Sequence, residues 1–291
     1  MATYFLGIDG GASSGKWTLI DGNGALVSHG TGAAIDGHIY DAKSRGRLTE
    51  FLNRIEPSKS DEIRGVYCGL TGISASTDVT ELKEIFSNCF RNAKITIEQD
   101  VLLGYRTHFK DRRGVFLYAG TGSVAVVERE GQLLDVGGWG YLLGDEGAGY
   151  WIGIQALRLF AAKVERREEL DSLSQLLSRE IDTTNWDGIR RFVYSSDRSA
   201  VAAFSKIVIS LAKDGDEPSL QILAHAAREL TWLIKRAEQL SGISNAEIVF
   251  GGGIANADPI VKKFVEKELG RSITLSSDDY SKSAAYLALQ D

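Results

Sequence analysis

Apolar and polar positions alternate in blocks that mark out short strands at the start of the chain. Residues 5–8 are apolar and run into a Gly/Ser cluster, Asp9-Gly10-Gly11-Ala12-Ser13-Ser14-Gly15-Lys16. Trp17-Thr18-Leu19-Ile20 leaves that cluster as a second strand, Asp21-Gly22-Asn23-Gly24 is a hairpin turn, and residues 25–27 begin a third. The same order returns later. Residues 116–119 form an apolar strand that meets the tight turn Gly120-Thr121-Gly122-Ser123, residues 124–127 a second, and residues 132–134 a third after Glu128-Arg129-Glu130-Gly131. One design is used twice.

Between the two copies, the apolar spacing predicts a helix over 41–55, a strand over 62–70 and a helix over 78–90. The last of these opens at Asp78 with Glu81 three residues on, a capping-box arrangement. Residues 94–98 alternate as a strand that ends at Gln99-Asp100, and 101–109 continue as a helix. Asp111-Arg112-Arg113-Gly114 is short, charged and glycine-terminated, the best candidate for a domain junction. From 147 to 241 nearly everything is helical in pattern, with breaks near 182–184, 195–197 and 214–216. A strand over 247–250, a helix over 259–269, a strand over 272–275 and a last helix over 281–289 complete the chain.

Turns without Cβ atoms let backbone N–H groups approach phosphate closely, and two such turns can clamp a nucleotide between two domains. Gly10, Gly15 and Lys16 have the Walker A spacing, but Trp17 stands where the magnesium-binding Ser or Thr belongs. A P-loop also opens a helix, whereas residues 16–20 alternate and end in a hairpin turn. Neither glycine cluster is followed by the helix and acidic residue of a dinucleotide fingerprint.

The pattern that survives resembles the actin-like ATPase superfamily, which includes sugar kinases and the Hsp70 ATPase domain. Asp9 to Lys16 resembles its first phosphate segment, Gly120-Thr121-Gly122-Ser123 its second, and Val249-Phe250-Gly251-Gly252-Gly253-Ile254-Ala255 its adenosine segment. Gly137-Gly138-Trp139-Gly140-Tyr141-Leu142-Leu143-Gly144-Asp145-Glu146-Gly147 resembles the hallmark of the BadF/BadG-type family, which holds the N-acetylglucosamine, N-acetylmuramate and glucosamine kinases. The resemblance implies an α/β fold of two actin-like (ribonuclease H-like) domains flanking an ATP cleft. Residues 1–112 would be the first domain, with a C-terminal helix at 280–291 packing back on it, and residues 113–279 the second, with a large helical addition.

Asp9 ends an apolar strand, where an unpaired carboxylate is costly unless it meets a metal, water or hydrogen-bond donors. An Asx turn is the plain alternative; the resemblance implies that Asp9 holds Mg2+ through water. Gly10, Gly11, Ala12, Ser13, Gly120, Thr121 and Gly122 would contact the ATP phosphates, and Gly251, Gly252 and Gly253 would admit adenosine. Lys16 offers phosphate a point charge, or is a solvated strand lysine. Asp100, where a strand gives way to a helix, serves as an N-cap or, as the resemblance implies, accepts the proton of the attacking sugar hydroxyl. Asp145 is the candidate acceptor for another sugar hydroxyl, or an N-cap for the helix near 148, with Gly138 and Trp139 shaping the pocket. Glu146 fits either task. The amino-sugar kinases carry an Asn after the third strand, where this chain has Asp36; Asp36 could replace that contact, but an acceptor-only carboxylate is not an amide. The usual third glycine and threonine of the first turn are Ala12 and Ser13 here. His29, His38, His108 and His225 show no metal-ligand spacing and receive no role.

Composition narrows the partners. The 291 residues, 43% of them apolar, suffice for two cores. Net charge is −6 and the 33 Lys and Arg residues are scattered, which argues against nucleic acid as partner. No apolar run reaches membrane-spanning length and Met1-Ala2-Thr3-Tyr4 has no basic leader character, so the expected location is the cytoplasm. Only Cys68 and Cys89 are present, which leaves no disulfide framework or zinc pattern. The reductive acyl-CoA dehydratase activators of the same superfamily hold an iron–sulfur cluster through cysteines beyond the second phosphate segment, and no cysteine follows Cys89. The resulting expectation is an ATP-dependent, magnesium-requiring kinase of a small sugar, most simply an amino sugar or its N-acetyl derivative. Its rivals are an ATPase activator of a partner enzyme and an idle sugar sensor; Asp9, Asp100 and Thr121 together argue against idleness. The sugar, its reacting hydroxyl and assembly as a homodimer stay open.

Overall fold

The computed structural model describes residues 2–11, 14–74, 77–110, 113–276 and 279–291. Ala12 and Ser13, expected to contact phosphate, and Asp111 and Arg112 of the expected junction lie outside the described residues. The chain forms two compact units, Met1–Lys110 with Asp278–Asp291, and Asp111–Ser277.

In the first unit, β1 (Tyr4–Gly10), β2 (Gly15–Asp21), β3 (Leu26–Gly32), β4 (Ile63–Leu70) and β5 (Lys94–Gln99) form a five-stranded sheet in the order β3-β2-β1-β4-β5. β1 to β3 are antiparallel neighbours, while β4 and β5 run parallel to β1. Strands buried on both faces lack clean alternation, which explains the continuous apolar runs of β1 and β4. Leu6, Ile8, Val66, Cys68 and Leu70 pack with Leu48, Phe51 and Leu52 of α1 (Ala42–Asn53) and Leu82 and Phe86 of α2 (Thr80–Cys89). On the other face, Tyr67 packs with Leu103 of α3 (Asp100–His108) and with Ala284 and Ala288 of the terminal helix Tyr280–Gln290. That helix lies against the sheet backbone: a Cβ on Gly7 would sit 2.0 Å from the Ser281 carbonyl oxygen. Its small residues make the approach possible, and a buried 2.7 Å bond joins the Thr18 and Ser281 hydroxyls.

Two local expectations change. The capping box at Asp78 does not form, because the N–H and hydroxyl of Thr80 both donate to the Asp78 carboxylate. Glu81 instead pairs with Arg45 of α1, and the box lies at Asp41 and Ser44. β3 continues to Gly32, beyond the expected 25–27, since it is a largely exposed edge strand whose polar residues carry no apolar signal.

The second unit repeats the sheet. β6 (Gly114–Ala119), β7 (Ser123–Arg129), β8 (Gln132–Gly137), β9 (Glu247–Gly251) and β10 (Thr274–Leu275) take the order β10-β9-β6-β7-β8. β6 to β8 are again antiparallel, and β9 and β10 again run parallel, to β6 and β9 respectively. The helical addition between β8 and β9 comprises α4 (Gly149–Arg166), α5 (Ser172–Glu180), α6 (Trp186–Ser195), α7 (Arg198–Lys213) and α8 (Glu217–Ser241). Asp197 and Asp216 cap α7 and α8 through the N–H groups of Ala200 and Ser219, so two of the expected breaks are capped helix starts. A further break follows Arg166, where Arg167 turns left-handed at φ 56°. Phe116, Phe160, Phe250 and Leu230 are among the fully buried side chains of this unit. α9 (Pro259–Leu269) packs on α8, and the helix Tyr280–Gln290 is α10.

Candidate functional site

Because β1, β4 and β5 are parallel, their carboxyl ends share one edge of the first unit's sheet. That edge is where open α/β sheets place ligands. Asp9 and Gly10 end β1, Leu70 ends β4, and Gln99-Asp100 marks the passage from β5 to α3. The turns are joined there: the N–H of Thr71 donates to Gly10 at 2.9 Å, and the N–H of Gly37 donates to Thr71 at 2.9 Å. A Cβ on Gly10 would lie 3.0 Å from Ile35, so the stretch after β3 is seated on the end of β1. Asp36 therefore lies between residues anchored on β1 and β4.

Three carboxylates occupy this edge in different states. Asp9 faces Lys16 across the β1–β2 pair. Burial raises its carboxyl to about 6, with Lys16 opposing the rise and Asp279 adding to it. The Asp9 carboxylate receives no hydrogen bond among the described residues, and Ala12 and Ser13 of its turn lie outside them. Asp36 is half-buried; its Oδ1 accepts the His38 N–H at 2.9 Å and lies 3.6 Å from His38 Nδ1. Asp100 is not the N-cap of α3. Gln99 holds that position without a side-chain bond, and Asp100 is the first helical residue, its Oδ1 2.9 Å from Val101 N. A carboxylate there gains from the helix N-terminus. Gly69 gives α3 room to start on β4, since a Cβ would lie 2.7 Å from Leu103.

The second unit's edge is made of backbone. Parallel pairing of β6 with β9 brings the turn after Ala119 beside Gly251, Gly252 and Gly253. Gly252 adopts φ 97°, and a Cβ there would lie 2.4 Å from the Ala119 carbonyl oxygen; both features demand glycine. Gly253 has open space around it. The Gly120–Gly122 turn closes with a 2.9 Å bond from Gly120 N to Gly122 O. Gly149 and Tyr150, at the start of α4, donate to the carbonyls of Gly120 and Thr121 at 2.8 and 3.1 Å. The N-cap of α4 is Ala148, without a side-chain bond.

Asp145 instead turns toward the glycine turn. It is left-handed at φ 61°, and a Cβ on Gly122 would lie 2.4 Å from its Oδ2, so its carboxylate lies against that turn. Burial raises its carboxyl above the ordinary range, against the lowering effect of the nearby Ser123 and Gly140 backbone N–H groups. Glu146 is exposed, and its backbone carbonyl accepts the Ser123 hydroxyl at 2.8 Å. Gly138 and Trp139 are exposed, Trp139 to 74%, alongside Leu142 and Leu143. Neither the Ser123 hydroxyl nor His38 is expected at the site from residue type alone; only His38, two residues after Asp36, carries a local signal, the spacing of an Asx turn.

No group of three or more His, Cys, Asp or Glu side chains among the described residues forms a metal cage. A lone desolvated carboxylate such as Asp9 suits Mg2+ instead, which keeps several waters and takes one or two carboxylates together with substrate phosphates.

The family model described as BadF/BadG/BcrA/BcrD ATPase family matches residues 6–285. The chain belongs to that family. Two curated relatives agree with the membership. An N-acetylmuramic acid/N-acetylglucosamine kinase from Clostridium acetobutylicum is 26% identical over 263 residues, 87% of this chain and 86% of the relative. An N-acetyl-D-glucosamine kinase from Dictyostelium discoideum is 26% identical over 310 aligned positions, covering 98% and 97% of the two chains. Among solved structures, a candidate N-acetylglucosamine kinase from Chromobacterium violaceum superposes with TM-score 0.81 at 21% identity, covering 99% of both chains. This BadF/BadG/BcrA/BcrD ATPase family member thus has the α/β two-domain fold expected of it, each domain built on a mixed five-stranded sheet. No helix among its described residues is long and apolar enough to cross a membrane.

Proposed function

We propose that this family member is an ATP-dependent kinase that transfers the γ-phosphoryl group to a hydroxyl of a small amino sugar, with Asp100 as the general base. The carrying observation is the place of Asp100: a half-buried carboxylate at a helix start, on the sheet edge that also holds Asp9 and the first glycine turn. Full-length similarity to two curated sugar kinases supports the substrate class.

Phosphoryl transfer asks the protein mainly to position groups and neutralise charge. Asp100 would orient the sugar hydroxyl and take its proton as the oxygen bonds to the γ-phosphorus; the bond to the β,γ-bridging oxygen breaks, and ADP leaves. Gly10, Gly11, Gly120, Thr121 and Gly122 would hold phosphates through backbone N–H groups and the Thr121 hydroxyl, with Lys16 adding a positive charge. Gly251, Gly252 and Gly253 would let adenosine approach the backbone. Asp36 and Asp145 would each accept a sugar hydroxyl, with Gly138 and Trp139 in the same loop as Asp145. When bound, Mg2+ would neutralise phosphate charge, held through water by Asp9. Such a reaction belongs in the cytoplasm, where ATP is abundant, and needs no nucleic acid or membrane; a homodimer is compatible with it.

A coupled ADP-release assay over glucosamine, N-acetylglucosamine, N-acetylmuramate and neutral hexoses tests the reading. At least one amino sugar should raise ATP consumption well above the sugar-free rate, because an aligned hydroxyl replaces a poorly held water. Equal ADP release with and without every sugar would overturn it in favour of an ATPase that acts on a partner.

A further inference from the structure

Asp145 is tied to the second glycine turn more closely than sugar binding alone requires. The backbone N–H groups of Ser123, the last residue of that turn, and of Gly140, in its own loop, lie close enough to favour its ionised form. A Cβ placed on Gly122 would fall 2.4 Å from Asp145 Oδ2, so the carboxylate fills the space that a side chain at 122 would need. The loop is fixed from both sides: Gly138 N donates to Ser123 O at 3.0 Å, Gly144 N to Gly140 O at 2.8 Å, and the Ser123 hydroxyl to Glu146 O at 2.8 Å. The left-handed backbone at Asp145, φ 61°, aims the side chain back at the turn, a conformation that Asp tolerates better than most residues. The charged side chains acting on it are Glu146, of like sign, and Arg198, of opposite sign.

We propose that Asp145 couples the two substrates, bracing the Gly120–Ser123 turn and accepting a sugar hydroxyl with the same carboxylate, so that sugar and ATP tighten each other's binding. The proposal rests on the kinase reading above. A carboxylate beside a phosphate-binding turn opposes the phosphates by like charge. A carboxylate offers about four acceptor sites, so its oxygens keep lone pairs for a ligand. A sugar hydroxyl that donates to one of them draws charge away from the turn and holds the carboxylate in its bracing position. Without sugar, the turn is a poorer phosphate site, which limits futile hydrolysis. Asp145 acts on the nucleotide through the turn and is, toward ATP, a positioning residue.

The test is equilibrium binding of a non-hydrolysable ATP analogue to the full chain, with and without saturating N-acetylglucosamine or glucosamine, in the wild type and in Asp145→Asn. In the wild type, sugar should tighten the analogue about tenfold, and the analogue should tighten sugar by the same factor, as linkage requires. Asp145→Asn keeps the size of the side chain and one acceptor oxygen and loses the charge. It should bind the analogue severalfold more tightly than the wild type without sugar, with the sugar effect reduced to within about twofold. Gly122→Ala provides a second handle, since its Cβ must displace the carboxylate; the analogue should bind more weakly and the coupling should vanish. Sugar-stimulated turnover combined with unchanged coupling in Asp145→Asn would overturn the proposal and leave the kinase reading standing. Absence of sugar stimulation in the wild type would overturn that reading. The proposal's charge argument would then fail separately if Asp145→Asn bound the analogue no more tightly than the wild type.

Discussion

The two units lay their strands in one order, three antiparallel and two parallel, and finish them with opposite chemistry. In the first, the strand ends carry carboxylates: Asp9 after β1's apolar run, Asp36 in the segment seated on β1 and β4, Asp100 after β5. In the second, residues 114–122 hold no carboxylate, and β6 and β9 run into Gly120, Gly122 and Gly251 to Gly253. Charge at the first edge is bought with desolvation, visible in the raised carboxyl of Asp9. Closeness at the second edge needs the absence of side chains, visible at Gly252 and Gly122. The duplication therefore supplies a common frame, and the division of labour lies in the few residues at each frame's carboxyl edge. Under the kinase reading, a hydroxyl that must lose a proton uses the first kind of edge and a purine that must lie against backbone uses the second, with a glycine turn at each edge for the phosphates.

The largest test of that division is Asp100→Asn, which preserves size and removes the base. Turnover should fall by about a hundredfold or more, in the range of general-base contributions, while nucleotide affinity, supplied by the glycine turns, stays within about twofold. Near-normal turnover would reduce Asp100 to a helix-terminal charge and make Asp145 the next candidate base.

The Asp9 carboxyl provides the next effect, on stability. Its folded value of about 6 exceeds the ordinary 3.8, so the folded state binds the proton more tightly than the unfolded one. Stability is then greatest below pH 4 as far as this group is concerned and falls as pH rises through about 6, by on the order of 3 kcal/mol in total. Urea midpoints of the wild type should drop across that window, and those of Asp9→Asn should drop less. Parallel profiles for the two proteins would show that the Asp9 carboxylate is solvated and place the desolvation cost elsewhere. In the second unit the corresponding probe is steric. Gly252→Ala forces a Cβ against the Ala119 carbonyl at a left-handed φ and should weaken nucleotide binding about tenfold, with kcat at saturating ATP changing less. An equal loss in kcat alone would detach Gly252 from nucleotide binding.

Much of this frame was readable in the residues because its signals are local. Apolar runs, turn glycines and the passage from strand to helix at Gln99-Asp100 all lie within a few positions of each other, and the repeated hairpin gave the sheet its plan twice. The exposed edge strand β3 escaped in part because exposure removes the apolar pattern that marks a strand. The capping box at Asp78 failed because Thr80, nearer in sequence, competes for the same oxygen. Asp145 was harder still. Residue type and loop position pointed to an N-cap or a sugar contact, but the turn at Ser123 reaches it only after β7 and β8 have brought the chain back. Partners set by sheet register leave no trace at sequence spacings of three or four.

The smallest effect belongs to Asp36, and it bears on which amino sugar the first unit's edge prefers. One oxygen of Asp36 is engaged by the His38 N–H, and its side chain is 30% exposed. The second oxygen can accept from a hydroxyl or attract the ammonium group of glucosamine, and it cannot donate to an acetamide carbonyl. Asp36→Asn keeps the Asx-turn acceptor for His38, removes the charge and adds two donors. The KM for glucosamine should rise, the KM for N-acetylglucosamine should stay level or fall, and the ratio of the two specificities should move about threefold, the scale of a solvent-accessible charge pair. Turnover at saturating sugar should be little changed, since Asp100 still holds the reacting hydroxyl. A shift of equal size and sign for both sugars would mean that Asp36 holds a hydroxyl common to them, and the preference between amine and acetamide would then have to come from the Gly138–Asp145 stretch of the second unit.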